Sequence, residues 1–189
     1  MKKIIALALS LMMLLGCVSA VAETAEKQTI TMMDAFTVTY DKLPEGYTMN
    51  VQADTPMGFA AVIVSEDPTK PQIVLSMAFS DAWYGVNSLT DATEDDIAAV
   101  KQDFYDVTEM NDGDITFEDA QTGLGTPLLI AKGANGAFAA VYTIFMSHEI
   151  EVDIFPGSQA TDGVTDEDVA RMVQFLTDVE FTPIAPAAE

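Results

Sequence analysis

The segment TPLLIAKGANGAFAAVYTIFMSHEIEVDIF, residues 126–155, is the most informative about the fold class, because it has the pattern of three consecutive strands. The segment KGANG, residues 132–136, predicts a turn, since Asn and Gly tolerate the positive φ of tight hairpins. Residues 138–146 are apolar on both strand faces, which is typical of a strand that is covered on both sides. The sequence therefore predicts an antiparallel sheet with residues 138–146 near its centre.

The third strand of this stretch alternates strictly between apolar and acidic residues. Its acidic positions are Glu149, Glu151 and Asp153, each separated from the next by one apolar side chain. A period of two predicts a strand with one buried face and one face in water. We therefore expect the three carboxylates on the surface, about 7 Å apart along the strand.

The rest of the chain alternates between strand and helix patterns. A strand at 36–40, a Leu-Pro-Glu-Gly turn and a returning strand at 47–52 predict an N-terminal hairpin. Helices are expected to begin at Thr93 and Thr165, because carboxylates fill the first turn after each. Further strands are predicted at 59–65, 72–80 and 115–120. The fold class is α+β, with a mostly antiparallel sheet of about seven strands and helices packed on both faces.

The chain begins with a pattern typical of a secretory signal peptide, residues 1–22. Lys2 and Lys3 precede an apolar run that is too short to span a bilayer comfortably. Cleavage after the Ala-Val-Ala of residues 20–22 is favoured, which predicts a secreted protein. The alternative is lipidation of Cys17 in Leu-Leu-Gly-Cys, which predicts a tethered envelope or cell-surface lipoprotein. No second apolar segment long enough to span a membrane follows in the sequence.

The predicted domain organisation after the signal peptide is simple. A flexible N-terminus at 23–28 precedes a single α+β domain at 29–182, and a tail at 183–189 ends the chain.

The charge balance excludes one class of function. The chain has 8 Lys and Arg against 30 Asp and Glu, a net charge of -22. Nucleic-acid binding needs clustered cations to neutralise phosphates, so we do not expect it. Solubility is the simplest explanation of the charge. The alternative is a surface that binds cations or a basic partner.

The residues that most enzymes need are scarce. His148 is the single His, and the one Cys lies in the signal peptide, so the usual zinc sites are excluded. Ser147 and Glu149 flank His148, but neighbours on a strand point to opposite faces and do not form a triad. His148 is expected near a hairpin turn. The sequence therefore predicts a non-enzymatic chain without a cofactor.

A candidate surface site remains, made of Glu149, Glu151 and Asp153 with the loop aromatics Trp83 and Tyr84. Two carboxylates at this spacing are compatible with a carboxylate-based hydrolase. The acidic strand also offers oxygen ligands for weak Ca²⁺ binding. Trp83 and Tyr84 are either partner contacts or folded onto the sheet, and burial is the expectation for Trp83.

The order of these elements resembles the PsbP-like α/β/α sandwich family. The resemblance rests on the Phe-x-Val-x-Tyr strand, the Leu-Pro-x-Gly-Tyr turn, the long antiparallel run and the terminal helix before Phe181, and it covers residues 29–182. That family includes extrinsic photosystem proteins and many small secreted bacterial proteins and lipoproteins. The resemblance implies a mostly non-enzymatic role, and it transfers no site residues. We therefore expect an exported binding or accessory domain with an unidentified protein or envelope partner.

Overall fold

The computed structural model describes residues 28–40, 43 and 45–184. The predictions for the signal peptide 1–22, for lipidation of Cys17, for residues 23–27 and for residues 185–189 lie outside the described residues. Within the described ranges, none of the helices combines the length and the apolarity needed to cross a membrane.

The described chain forms ten strands and two α-helices. The strands are β1 Gln28–Met32, β2 Phe36–Tyr40, β3 Tyr47–Thr55, β4 Gly58–Ser65, β5 Gln72–Phe79, β6 Ile115–Gln121, β7 Pro127–Gly133, β8 Ala139–Phe145, β9 His148–Phe155 and β10 Glu180–Pro183. The helices are α1 Glu94–Thr108 and α2 Asp166–Asp178, and short 3-10 turns occupy Asp81–Trp83, Leu89–Asp91 and Ala134–Gly136.

Seven strands form one antiparallel sheet in the order β3-β4-β5-β9-β8-β7-β6. The predicted run of three strands is confirmed as β7, β8 and β9, which pair as successive hairpins. The turn before β8 holds Asn135 at φ 56° and Gly136 at φ 68°, the conformation that these residues were expected to supply. The fourth and middle position belongs to β9, the strand with alternating carboxylates.

The predicted N-terminal hairpin is wrong. β2 pairs with β1 and β10 in a separate three-stranded sheet, while β3 pairs with β4 at the edge of the large sheet. The partner of β2 is therefore the last strand of the chain, and Phe181 lies opposite Val38. A pairing this distant in sequence leaves no local turn pattern that would reveal it.

Both predicted helix starts are confirmed. The hydroxyl of Thr93 accepts from the backbone N–H of Asp96, and the Asp96 carboxylate accepts in return from the Thr93 N–H. Thr165 and Asp168 form the same reciprocal capping box before α2. These bonds satisfy N–H groups that have no partner inside the helix.

Two clusters of buried side chains make up most of the core. The larger one joins α2 and the three-stranded sheet to the side of β9 that carries Ile150, Val152 and Ile154. The second joins α1 and Trp83 to the alternate residues of β8, Ala140, Tyr142 and Ile144. The α+β class is confirmed, since two antiparallel sheets and two helices share these cores.

Candidate functional site

The prediction that the acidic face of β9 lies in water is wrong. Glu151 is 7% exposed and Asp153 is 6% exposed, although both belong to the acidic positions of the alternation. They lie on the middle strand of the large sheet, where Ser76 of β5 and Tyr142 of β8 pair with Glu151 on either side. The carboxylates are hidden because their strand has neighbours on both sides and the cluster containing α1 covers the β8 residues beside them.

Glu151 and Asp153 stand two residues apart on the same buried side of β9. Two buried carboxyl groups this close disfavour a second negative charge, so the protonated form of one of them is favoured. Burial and then the Asp153 charge raise the pKa of Glu151 well above its usual value. Burial also raises the pKa of Asp153, to about 6. The pair therefore holds a proton under conditions where exposed carboxyls have lost theirs.

Glu149, the first of the three acidic residues of β9, lies next to the β8–β9 turn and is only partly buried. Its carboxylate accepts from the Tyr142 hydroxyl at 3.5 Å. Burial is the main cause that raises the pKa of Glu149, whereas the neighbouring Trp83 and Tyr142 donors lower it. Burial also raises the pKa of Tyr142. Glu149, Glu151 and Asp153, with Tyr142 and Trp83 beside them, therefore form a polar strip inside an otherwise apolar layer, here called the carboxyl strip.

Two polar atoms in this strip lack a partner. Oε1 of Glu151 and Nε1 of Trp83 are buried and make no hydrogen bond of acceptable geometry. Trp83 is 2% exposed, so the expectation of burial for this residue is confirmed. Trp83 packs in the same buried cluster as Tyr142, and its indole opposes the rise in the pKa of Tyr142 and Glu149. An unpaired buried donor costs about 1–3 kcal/mol, which the burial of the indole ring offsets.

The chemistry open to this strip is limited by its geometry. Paired carboxyls in glycosidases stand at least about 5 Å apart so that a sugar or water fits between them. Glu151 and Asp153 are instead closed to solvent, which leaves no room for a sugar or water beside them. Within residues 28–40, 43 and 45–184, no group of three or more His, Cys, Asp or Glu side chains is arranged to hold a metal ion.

The other predicted aromatic, Tyr84, lies apart from the carboxyl strip. It is 82% exposed, whereas its neighbour Trp83 is buried. The candidate site of the sequence analysis is therefore divided: Glu151, Asp153 and Trp83 are interior, Glu149 is intermediate, and Tyr84 is on the surface.

Tyr84 is held on a rigid platform. The loop after β5 is bound to the β8–β9 turn, with the Gly85 N–H donating to the Ser147 hydroxyl at 3.0 Å and the Ser147 N–H donating to Val86 O at 2.8 Å. Two further backbone bonds, Met146 N–H to Asn87 O and Ser80 N–H to Ser147 O, close the same junction. The loop presents its exposed aromatic ring from a fixed backbone.

Further apolar side chains are exposed at the end of the large sheet where Tyr84 lies. The β3–β4, β6–β7 and β8–β9 turns and the loop after β5 all leave the same end of the seven-stranded sheet, here called the Tyr84 end. Six large hydrophobic residues are exposed in the described ranges, and all except Val51 lie at this end: Met57, Tyr84, Leu124, Met146 and Ile184. Ile184 belongs there because its N–H donates to Ala35 O in the β1–β2 turn.

His148 lies at the same end, beside the β8–β9 turn as predicted. Its Nδ1 is 2.7 Å from Met146 O, and its ring packs edge-on against Phe36 and Phe79 at 4.9 and 5.5 Å. The opposite end of the sheet, here called the Lys132 end, carries the β4–β5 loop and the β7–β8 turn. It shows none of the exposed large hydrophobics of the described ranges.

Comparison with known proteins adds no identification. No family model matches the sequence, and no curated protein is similar enough to match. The solution structure of cyanobacterial PsbP (CyanoP) from Synechocystis sp. PCC 6803 has 17% identity and a TM-score of 0.49, covering 89% of this chain and 99% of that one. A crystal structure from Bacteroides thetaiotaomicron VPI-5482 has 14% identity and a TM-score of 0.39, covering 83% of this chain and 48% of that one. With TM-scores below 0.5, membership of the PsbP-like family stays a prediction.

Sequence reasoning missed the apolar turns of the Tyr84 end. Met57 and Leu124 stand in Gly-containing turns between predicted strands, where a large apolar residue has no core to enter. An apolar residue at a hairpin tip is therefore a usable signal. Tyr142 was placed correctly on a buried face, but its neighbour Glu149 was expected in water.

Proposed function

We propose that this chain is an exported, non-enzymatic accessory domain that binds a protein partner through the Tyr84 end of its large sheet. One observation carries the proposal: exposed large hydrophobic side chains of the described ranges collect at one end and are missing at the other. Exposed apolar groups gathered on one side of a folded chain mark interaction surfaces. Scattered single residues would need no such explanation.

The rigidity of the platform supports binding. Four backbone or side-chain hydrogen bonds connect the loop after β5 to the β8–β9 turn, so that Tyr84 and Met146 keep a fixed spacing. A pre-organised surface loses less conformational entropy on association than a mobile loop does. Tyr, with few rotatable bonds and a large contact area, is a favoured residue at such surfaces.

The arrangement of the layers is consistent with a purely structural interior. We infer that α1 covers one face of the large sheet and α2 the other, because the two helices contribute to separate core clusters. Glu151 and Asp153 lie on the α1 side of the sheet and are closed to solvent. This leaves the ends of the sheet, rather than its faces, as the surfaces open to a partner.

The proposal is tested by site-specific photo-cross-linking in the native host. A cross-linking residue replaces Tyr84 or Leu124 in the full chain, and a matched exposed position at the opposite end, Ser158, serves as the control. We expect a discrete cross-linked partner from Tyr84 and Leu124 and none from Ser158. Cross-links of equal yield from all three positions, or from Ser158 alone, contradict the proposal.

The carboxylate-based hydrolase remains the second candidate because one observation favours it. Burial raises the pKa of Glu151 and Asp153, as it does for catalytic acids. The same burial leaves no path for a substrate, which is why the binding role is preferred. Hydrolysis of chromogenic glycosides by the wild-type chain, lost in Glu151→Gln, would establish the hydrolase instead.

A further inference from the structure

We propose that the partner of the Tyr84 end is a protein segment that carries Lys or Arg side chains beside apolar ones. This inference rests on the proposed function, since it names the chemistry of the partner that the surface receives.

Carboxylates surround the exposed apolar residues of the Tyr84 end. Asp34 is exposed in the β1–β2 turn, Asp54 is exposed at the end of β3, and Asp81 is exposed three residues before Tyr84. Asp54 is fixed in place because its Oδ1 accepts from the Met33 N–H at 2.7 Å, which connects the two sheets at this end. Asp91 is exposed as well and accepts from the Asn87 N–H at 3.3 Å.

The cations of the described ranges lie elsewhere. Lys132 stands at the other end of the sheet, where it pairs with Glu118 at 3.2 Å and Asp166 at 2.8 Å. Lys70 is in the β4–β5 loop of the same end. Arg171 pairs with Glu167 and Asp168 in the first half of α2, and Lys101 sits over the Phe117 ring in the middle of α1.

The Tyr84 end therefore combines exposed apolar groups with carboxylates that lack a described Lys or Arg nearby. A partner with carboxylates of its own would meet like charges at this end, which disfavours its approach. A partner with basic side chains gains attraction at the rim and apolar contact at the centre. Nucleic acid and anionic membranes are disfavoured by the same charges.

The spacing of the turns sets the size of the segment. The β3–β4 turn, with Met57, and the β6–β7 turn, with Leu124, are separated by five strand intervals, about 24 Å at 4.8 Å each. A helix of about 16 residues covers that distance at 1.5 Å per residue. Tyr84 and Met146 lie between the two turns, so one segment is long enough to touch all four residues.

Titration of the full chain with three synthetic 16-residue peptides tests the inference. The first peptide is an amphipathic helix of Leu and Lys, the second replaces every Lys with Glu, and the third replaces every Leu with Ser. We expect measurable binding of the Leu/Lys peptide alone by calorimetry at low salt, with an affinity that falls as salt is added.

Two matched pairs of substitutions show at which end of the sheet the Leu/Lys peptide binds. Asp34→Asn with Asp81→Asn removes two charges at the Tyr84 end, and Glu66→Gln with Asp162→Asn removes two exposed charges at the Lys132 end. The first pair should weaken the Leu/Lys peptide about three- to tenfold, because exposed charge pairs are worth about 0.2–1 kcal/mol each. The second pair should change its affinity less than twofold.

The outcomes separate the inference from the function on which it rests. If both the Leu/Lys and Leu/Glu peptides bind and Tyr84→Ser weakens both, the surface is a docking site and the basic partner is wrong. If the Leu/Lys peptide binds but neither Tyr84→Ser nor the Asp34/Asp81 pair affects it, the peptide binds elsewhere and both proposals are overturned. Loss of affinity in Tyr84→Ser and in the Asp34/Asp81 pair supports both.

Discussion

Glu151 and Asp153 lie next to one another on the same side of β9, the middle strand of the seven-stranded sheet, where both carboxyl groups are buried. Burial raises the pKa of both groups in the folded chain, so the folded chain binds protons that the unfolded chain has released. The stability of the fold is thereby coupled to pH through two residues in its centre.

The first prediction is that stability falls as pH rises from 5 to 7.5. A carboxyl with a raised pKa stabilises the folded state fully below its unfolded pKa, near 4, and loses that contribution as pH rises through its folded pKa, about 6 for Asp153. Urea denaturation should show a free energy of unfolding lower at pH 7.5 by about 1–3 kcal/mol. Asp96 and Asp166 have lowered pKa values and act in the opposite direction, but neither is buried.

A double variant, Glu151→Gln with Asp153→Asn, is the control for this prediction. It keeps the size of both side chains and removes their titration, so the loss of stability between pH 5 and 7.5 should become smaller, with Glu149 as the remaining carboxyl whose pKa burial raises. A wild-type free energy of unfolding that increases over this range would show that the pair is ionised or open to water.

The second prediction concerns Trp83, which is the single Trp of the chain and therefore a clean fluorescence probe. Its indole N–H lies beside Glu149, whose pKa is raised above the usual 4.5 by burial. Emission from Trp83 should change with a midpoint above pH 4.5, since ionisation of Glu149 places a charge next to the ring. Glu149→Gln should remove that transition, and an unchanged transition in the variant would place Glu149 away from the indole.

The third prediction concerns Gly157, which follows β9 and packs under the β4–β5 loop. A Cβ at this position would overlap the carbonyl oxygens of Pro68 and Lys70. The loop is also fixed by the Gln159 N–H, which donates to Pro68 O at 3.0 Å. Gly157→Ala should therefore destabilise the fold by about 1–3 kcal/mol. The neighbouring exposed Ser158→Ala should change the free energy of unfolding by less than about 0.5 kcal/mol, and equal effects of the two would argue against the close packing.

Local patterns predicted much of the fold because local chemistry determines those elements. Thr93 and Thr165 mark helix starts through bonds to residues three positions later, and Asn135 marks a turn through its own φ. The pairing of β2 with β10 was not predictable in this way, because about 140 residues separate the two strands in the chain.

The carboxyl strip shows a different limit of sequence reasoning. Alternation along β9 describes which residues share a face, but it does not say whether that face meets water. The answer depends on the position of β9 between β5 and β8 and on the burial of Trp83 beside it. Two flanking strands that are apolar on both faces were the available signal that this strand is internal.

Oxidative footprinting of the protein in its native assembly tests whether the Tyr84 end is the surface that meets a partner. Met57, Tyr84 and Met146 react readily with hydroxyl radicals when exposed, and all three lie at the Tyr84 end. We expect labelling of these three residues to fall when the protein is bound in its host and to recover when it is purified alone. Unchanged labelling of all three, together with protection of the exposed Pro68 and Lys70 at the Lys132 end, would contradict it.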